Sequence, residues 1–262
     1  MPSRETIAID AACDAADYAQ RHFRTALAVE RKSGKTDLVT DVDRMTQRRV
    51  MSTVEEYFPD DGIVGEEGDE RGSVPERGVA WIVDPIDGTG NFVRGIPQWV
   101  TSVAVVRDGE PTSSVNVAPA LGERYRATAD GATRNGQRIA VSRRSDPETF
   151  LVGATLRWAA ADSAAVGALA RAVVDRFGEL RRFGSAQLTL SLVASGALDA
   201  AVAFSPRPNA WDTVAGAHLV ERAGGTVTDL DGDRFTPDGR GIVASNGTAH
   251  DEVRSAISEA VE

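Results

Sequence analysis

The sequence predicts an α/β protein whose first half is α+β, and three observations carry that prediction. Two stretches with apolar residues at helical spacing open the chain, a series of short β-prone runs with turn signals follows, and beyond residue 150 strand and helix signals alternate. A polar stretch at 142–149 containing Pro147 separates the two textures. The expected organisation is therefore an N-terminal α+β domain, 1–145, carrying a metal-binding turn, and a C-terminal α/β domain, 146–262, completing the site.

Taken in order, Ser3 caps a helix whose apolar face runs through Ile7, Ala11, Ala15, Ala19, Phe23 and Leu27. Cys13 and His22 lie in it without a catalytic partner nearby, and they read as structural, as do His218 and His250. A polar loop from Lys32 to Asp43 leads into a second helix through Met45, Val50 and Val54, stopped by Phe58-Pro59. Thr40 reads as its cap, and Asp43 in the first turn favours the helix dipole.

Ile63-Val64-Gly65-Glu66-Glu67-Gly68 is a short apolar run ending in adjacent carboxylates, tolerable when solvated or when a cation neutralises them. Residues 68–78 are charged, glycine-bearing and without periodicity, and read as a mobile loop. Trp81-Ile82-Val83 then runs into Asp84, and Pro85 forbids the next backbone donor, so a buried strand is expected to end with the Asp84 carboxylate exposed at its tip. Asp87, Gly88 and Thr89 follow as a turn: carboxylate, flexible backbone and hydroxyl suit hard cations and a phosphate, and equally an ordinary Asp-Gly turn after a core strand.

Strands at 102–106 and 114–117 flank Arg107-Asp108-Gly109-Glu110, and Asn135-Gly136 signals a hairpin, so the first half is expected to hold an antiparallel sheet. The second half reads as strand 150–154, helix 162–177, strand 180–183, helix 185–193 and strand 199–204. A helix with Asp212 at its start, strands 226–229 and 241–245, and a last helix near His250 complete it.

Composition excludes several classes. The net charge of −10 argues against nucleic-acid binding, since a phosphate backbone is held by clustered cations. No apolar run approaches a membrane span, and Arg4, Glu5 and Asp10 stand where a signal peptide would be apolar, so a cytoplasmic protein with no membrane association is expected. A lone Cys13 rules out an internal disulfide and a zinc-type cysteine cluster. Lys32 and Lys35 are the only lysines, a pattern compatible with a salt-rich cytoplasm and equally with an Arg-favouring coding bias.

Four segments in order, Asp37-Leu38-Val39-Thr40, Gly65-Glu66-Glu67, Asp84-Pro85-Ile86-Asp87-Gly88-Thr89 and Trp211-Asp212-Thr213-Val214-Ala215-Gly216, resemble the inositol monophosphatase family of metal-dependent sugar phosphatases. The resemblance implies a layered αβαβα sandwich of the sugar phosphatase type and a homodimer. It implies two or three Mg²⁺ ions per site, with Glu66, Asp84 and the Ile86 carbonyl holding the first and Asp84, Asp87 and Asp212 the second. Gly88 and Thr89 would donate to phosphate, and Asp43, Thr89 and Glu66 would be the catalytic set, Asp43 and Thr89 polarising the attacking water. Asp87, Ser185, Arg207 and Asp212 would also meet the substrate, and Li⁺ would inhibit at millimolar concentration.

Phosphate ester hydrolysis, among the slowest uncatalysed reactions, needs metals in a chain without a nucleophilic Cys or His cluster, and an all-oxygen ligand set selects Mg²⁺. Two departures bear on substrate: Gly90 stands where the family has a second Thr, and Ser205 where inositol-specific members have a Glu. Arg181, Arg182 or Arg207 offers a guanidinium to a second phosphate. The reading is a phosphatase for fructose 1,6-bisphosphate, inositol 1-phosphate or both. The alternatives are a 3′-phosphoadenosine 5′-phosphate phosphatase, for which no adenine cradle is evident, and a non-enzymatic acidic cation-binding protein.

Overall fold

The structure, a computed structural model, describes residues 2–31, 38–68, 72–155, 163–204 and 207–261. The polar loop at 32–37, the centre of the 68–78 loop, the expected helix start at Asp162, and Ser205 lie outside these residues.

Helix α1 (Arg4–His22) begins where the Ser3 hydroxyl accepts the Thr6 N–H. It ends before Phe23 and Leu27, which helical spacing had placed inside it. Phe23 is extended instead and packs on Phe92 and Trp99, where an aromatic cluster offers more burial than another helical turn. A ribbon of β1 (Val29–Arg31) and β2 (Leu38–Thr40) leads into α2 (Asp41–Tyr57), capped by Thr40 as expected.

Seven strands form the larger sheet in chain order: β3 (Gly62–Gly65), β4 (Val79–Asp87), β5 (Val100–Arg107), β6 (Glu110–Ala118), β7 (Glu123–Thr128), β8 (Gly131–Arg134) and β9 (Gln137–Arg138). The sheet is not purely antiparallel, because the long connection after β3 returns the chain in the same direction and pairs β3 with β4 in parallel. β7 is an unexpected strand. Its arginines mask the signal, yet alternation still buries Tyr125 and Ala127.

The second sheet has the order β11-β10-β12-β14-β13, built from β10 (Leu151–Ala154), β11 (Glu179–Arg181), β12 (Ala200–Ala203), β13 (Thr226–Thr228) and β14 (Ile242–Ser245). β10 runs parallel to β11 and β12, while β14 is antiparallel to both its neighbours. The helices are α3 (Thr89–Val93), α4 (Ser163–Arg176), α5 (Ala186–Ala194), α6 (Ala210–Arg222) and α7 (His250–Val261). α1 and α2 cover the outer face of the larger sheet, α5 and α6 lie between the sheets, and α4 and α7 cover the far face of the smaller one. These layers make the αβαβα sandwich.

Strand alternation decides where the site falls. Trp81 and Val83 of β4 pack with Ile7 and Ala11 of α1, while Ala80 and Ile82 pack with Trp211 and Val214 of α6. Asp84 continues the second series, so its carboxylate belongs to the α6 side.

On that same interface His218 of α6 meets the Ser114 hydroxyl of β6, its Nδ1 at 3.0 Å. Burial, helped by the charge of Arg222, pushes the His218 pKa down from 6.5 to about 4. The unfolded chain therefore takes up a proton that the folded one refuses as pH falls from 6.5 towards 4, and stability is lost through that window. Between pH 7 and 5, denaturant unfolding is expected to show His218→Asn gaining about 2 kcal/mol relative to the unsubstituted protein. An unchanged difference at the two pH values would mean that His218 takes up its proton as readily in the fold as in the unfolded chain.

Candidate active site

β4 does not stop at Pro85. Its pairing with β5 slips between Asp84, opposite Ser102, and Asp87, opposite Val100, and the irregularity takes up the missing Pro85 donor while the Pro85 carbonyl accepts from Thr101 Oγ1 at 2.8 Å. The strand thus carries both aspartates inward. Asp84 is 1% exposed, so the expected exposed carboxylate at a strand tip is corrected to a buried one.

Gly88 then turns the chain at φ 98°, and a Cβ there would sit 3.0 Å from the Gln98 carbonyl oxygen and 3.1 Å from that of Gly184, so only glycine closes this turn. Asn91 fastens it from behind, donating to the Gln98 carbonyl at 2.6 Å and to the Phe183 carbonyl at 2.7 Å.

Oxygens of Asp84, Asp87 and Asp212 all lie within 4.8 Å of one another. Glu66 adds its charge to Asp84, whose carboxyl is pushed well above the usual range first by burial and then by Glu66, Asp87 and Asp212. Asp87 is raised to about 7 by burial and by Asp212, against the hydrogen bonds it accepts. Those come from Ser185 Oγ at 2.6 Å and from the Ala186 and Gln187 N–H groups at 3.1 and 2.6 Å, the start of α5. Asp212 stands inside the first turn of α6, not at its cap: Asn209 is the cap, and its N–H and Nδ2 donate to Asp212 Oδ2 at 2.8 and 3.0 Å.

Asp43 and Thr89 face this cluster from α2 and α3. Asp43 is fully buried; Oδ2 accepts from the Thr40 N–H at 2.9 Å and the Thr40 hydroxyl at 2.5 Å, and Oδ1 lies 2.9 Å from Thr89 Oγ1. Burial and the charge of Glu66 raise its pKa to about 6, opposed by the Thr40 and Thr89 bonds. Thr89 Oγ1 is also 3.0 Å from the Ile86 carbonyl, so its single proton serves one acceptor at a time.

Other residues singled out from sequence have protein partners of their own. Ser185 is 3% exposed and lies behind Asp87, donating to it while accepting the Leu188 N–H as the cap of α5. Arg207 is more than half exposed and donates to the Asp238 carbonyl at 2.9 Å, with the Asp238 carboxylate 3.5 Å away. Arg181 pairs with Glu179.

Residues not singled out also shape the site. Gln47, one helical turn after Asp43, clamps the Glu67 backbone: its Nε2 donates to the Glu67 carbonyl at 2.6 Å and its Oε1 accepts the Glu67 N–H at 2.9 Å. A Cβ on Gly65 would fall 2.6 Å from that Oε1, which explains a glycine immediately before Glu66. The available signal was a polar residue on the buried face of an amphipathic helix.

The arrangement fits divalent cations. Asp84 Oδ1 is buried with no hydrogen-bond partner among the described residues, and an unsatisfied carboxylate oxygen in a cluster of like charges is costly unless a cation meets it. Among the described residues the cluster's ligand atoms are all hard oxygens, with no sulfur or imidazole, a set that suits Mg²⁺ rather than zinc.

Comparison with known proteins agrees with this geometry. The profile of the inositol monophosphatase family matches residues 2–262. The chain is 39% identical over 243 residues to a fructose-1,6-bisphosphatase/inositol-1-monophosphatase of Thermotoga maritima, covering 92% of this chain and 90% of that protein. It is 38% identical to a histidinol-phosphatase of Mycobacterium tuberculosis, covering 86% of each. Among solved structures, a Thermotoga maritima IMPase superposes with a TM-score of 0.88 at 35% identity over 98% of each chain.

Proposed function

The chain belongs to the inositol monophosphatase family and is a phosphatase, and from that premise we propose that it is a Mg²⁺-dependent hydrolase of sugar or inositol phosphate monoesters. The observation that carries the reading is the buried Oδ1 of Asp84, without a hydrogen-bond partner among the described residues, in the midst of the other carboxylates. Glu66, Asp84 and the Ile86 carbonyl would hold one ion, and Asp84, Asp87 and Asp212 another. When bound, the ions supply Lewis acidity for the phosphoryl oxygens and a lowered pKa for water.

The chain's own groups do the rest. Were the Ile86 carbonyl to hold a cation, the Thr89 hydroxyl would direct its hydrogen bond to Asp43 and turn a lone pair towards the attacking water. Water then loses its proton to Thr89 Oγ1 as Thr89 passes its own to Asp43, a general-base relay whose far end is held by the Thr40 bonds to Asp43. Glu66 joins Asp43 and Thr89 as the third catalytic residue. The Gly88 and Thr89 backbone would meet the phosphate, and Asp87 and Asp212 the ester and its hydroxyls, with Ser185 keeping Asp87 in place.

On this reading Asp43, Glu66, Asp84, Asp87 and Thr89 come from a first domain, 1–145, and Ser185 and Asp212 from a second, 146–262. A homodimer in the cytoplasm, and millimolar Li⁺ inhibition through the Asp84, Asp87 and Asp212 position, belong to the same proposal. No helix among the described residues is long and apolar enough to cross a membrane.

Phosphate release from fructose 1,6-bisphosphate, inositol 1-phosphate, histidinol phosphate and 3′-phosphoadenosine 5′-phosphate tests the substrate class. We expect kcat/KM for the bisphosphate at least equal to that for inositol 1-phosphate, with Arg207→Ala harming the bisphosphate by about ten- to a hundred-fold more, the worth of one charge-assisted pair. Equal losses on both substrates would make Arg207 structural. A dominant rate on histidinol phosphate would move the assignment to the activity that names the Mycobacterium tuberculosis relative.

A further inference from the structure

Gln187 is fully buried in α5, in a run whose neighbours Leu188, Leu190 and Val193 are apolar. A buried primary amide persists in such a place only where its donors and acceptor are used. The amide nitrogen and oxygen are both bonded here, and together with the backbone N–H their bonds reach three different elements. The Gln187 backbone N–H donates to Asp87 Oδ2 at 2.6 Å, and its side-chain Nε2 donates to the Trp211 carbonyl, also at 2.6 Å. Its Oε1 accepts from Asn116 Nδ2 of β6 at 3.1 Å. Asn116 lies in the cross-strand row that runs through Ser102 to Asp84.

The Trp211 carbonyl belongs to the residue just before Asp212. One residue therefore grips Asp87 through its backbone and the turn carrying Asp212 through its side chain, while standing on the strand row that carries Asp84. Glycine at 216 makes room for this: a Cβ there would come within 2.9 Å of Gln187 Oε1 and within 2.5 Å of the Leu190 Cβ, so α6 approaches α5 closely enough for the amide to bridge them.

We propose that Gln187 is a positioning residue that sets the separation of Asp87 and Asp212 and thereby the affinity of the cation they share. The inference rests on the metal-dependent reading above and names a residue acting through the ligands, not one of them. Supporting groups behind metal ligands change affinity by about ten- to a hundred-fold when removed, because a misplaced carboxylate no longer fits the coordination sphere.

The test is calorimetric titration of metal-free protein with Mn²⁺, used as the probe, for the unsubstituted chain and for Asp212→Asn, Glu66→Gln and Gln187→Met. Asp212→Asn and Glu66→Gln identify which binding step each ion contributes. Gln187→Met keeps the length of the side chain and the backbone N–H to Asp87 while deleting the amide. It is expected to weaken the step that Asp212→Asn removes by about ten- to a hundred-fold. The step that Glu66→Gln removes should stay within about twofold, and the metal-free protein should still melt cooperatively. The Mg²⁺ concentration giving half-maximal phosphate release should rise in parallel, with KM at saturating Mg²⁺ little changed.

Identical isotherms for Gln187→Met and the unsubstituted chain, or equal weakening of both steps, would overturn the proposal. So would loss of a cooperative melt in both Gln187→Met and Gln187→Leu, which would assign the amide to folding. Failure of the unsubstituted chain to bind Mn²⁺ at all would overturn the metal-dependent reading itself, a result distinguishable from every one of these.

Discussion

Asp84→Asn is expected to lower kcat by about three orders of magnitude or more while making the metal-free protein more stable. Asp84 is the carboxylate placed to contact both proposed ions, and losing ~4 kcal/mol of charge stabilisation at the phosphoryl group corresponds to a rate loss of that size. Without cations the same carboxylate is buried beside Glu66, Asp87 and Asp212, with Oδ1 unpartnered. The amide has nearly the same shape and no charge to repel, so the metal-free variant should gain about 1–3 kcal/mol. Saturating Mg²⁺ should then stabilise the unsubstituted protein much more than the variant, so the two stability curves cross as the cation is added. Denaturant unfolding with and without Mg²⁺, together with phosphate release, measures all three quantities. A variant destabilised in both conditions would mean that Asp84 is a structural carboxylate whose partner is protein.

Asp43→Asn separates two roles that one residue combines. Thr40 presents only donors to Oδ2, so the new amide must turn its oxygen there and its NH₂ towards Thr89. The cap of α2 survives, and stability should change by about 1 kcal/mol or less. Thr89, however, now accepts a hydrogen bond where it donated one, and the proton relay is reversed at its middle. kcat should fall by about 10²- to 10⁴-fold, the usual worth of a general base, with KM little altered because Asp43 does not touch the ester. Unfolding curves and steady-state kinetics on the same preparation decide the matter. A loss confined to stability would leave Asp43 a helix cap.

Much of this was legible in the residues. Ser3, Thr40 and Asn135-Gly136 announce two helix starts and a hairpin by local chemistry alone, and the structure places them there. Asp84, Asp87 and Asp212 were singled out by the resemblance of their segments to the inositol monophosphatase family, because an Asp-Gly turn after a core strand is by itself an ordinary feature. Less legible were features that depend on long-range geometry. Pro85 suggested a strand end, yet pairing with β5 continues because one irregularity absorbs the missing donor. Tyr125 and Ala127 mark a strand only once the neighbouring strand fixes which side is buried. Gln47 and Gln187 look like isolated polar residues on helices, and their partners, Glu67 and Trp211, are 20 and 24 residues away. No local pattern encodes those meetings.

Whether Asp84 joins two divalent cations in one site can be seen by anomalous diffraction from crystals soaked in Mn²⁺. At least two peaks roughly 3.5 to 4 Å apart are expected, one contacting Asp84, Asp87 and Asp212 and the other Glu66, Asp84 and the Ile86 carbonyl. Peaks found only elsewhere, with the Asp84 carboxylate unligated in a protein that still hydrolyses phosphate esters, would contradict it.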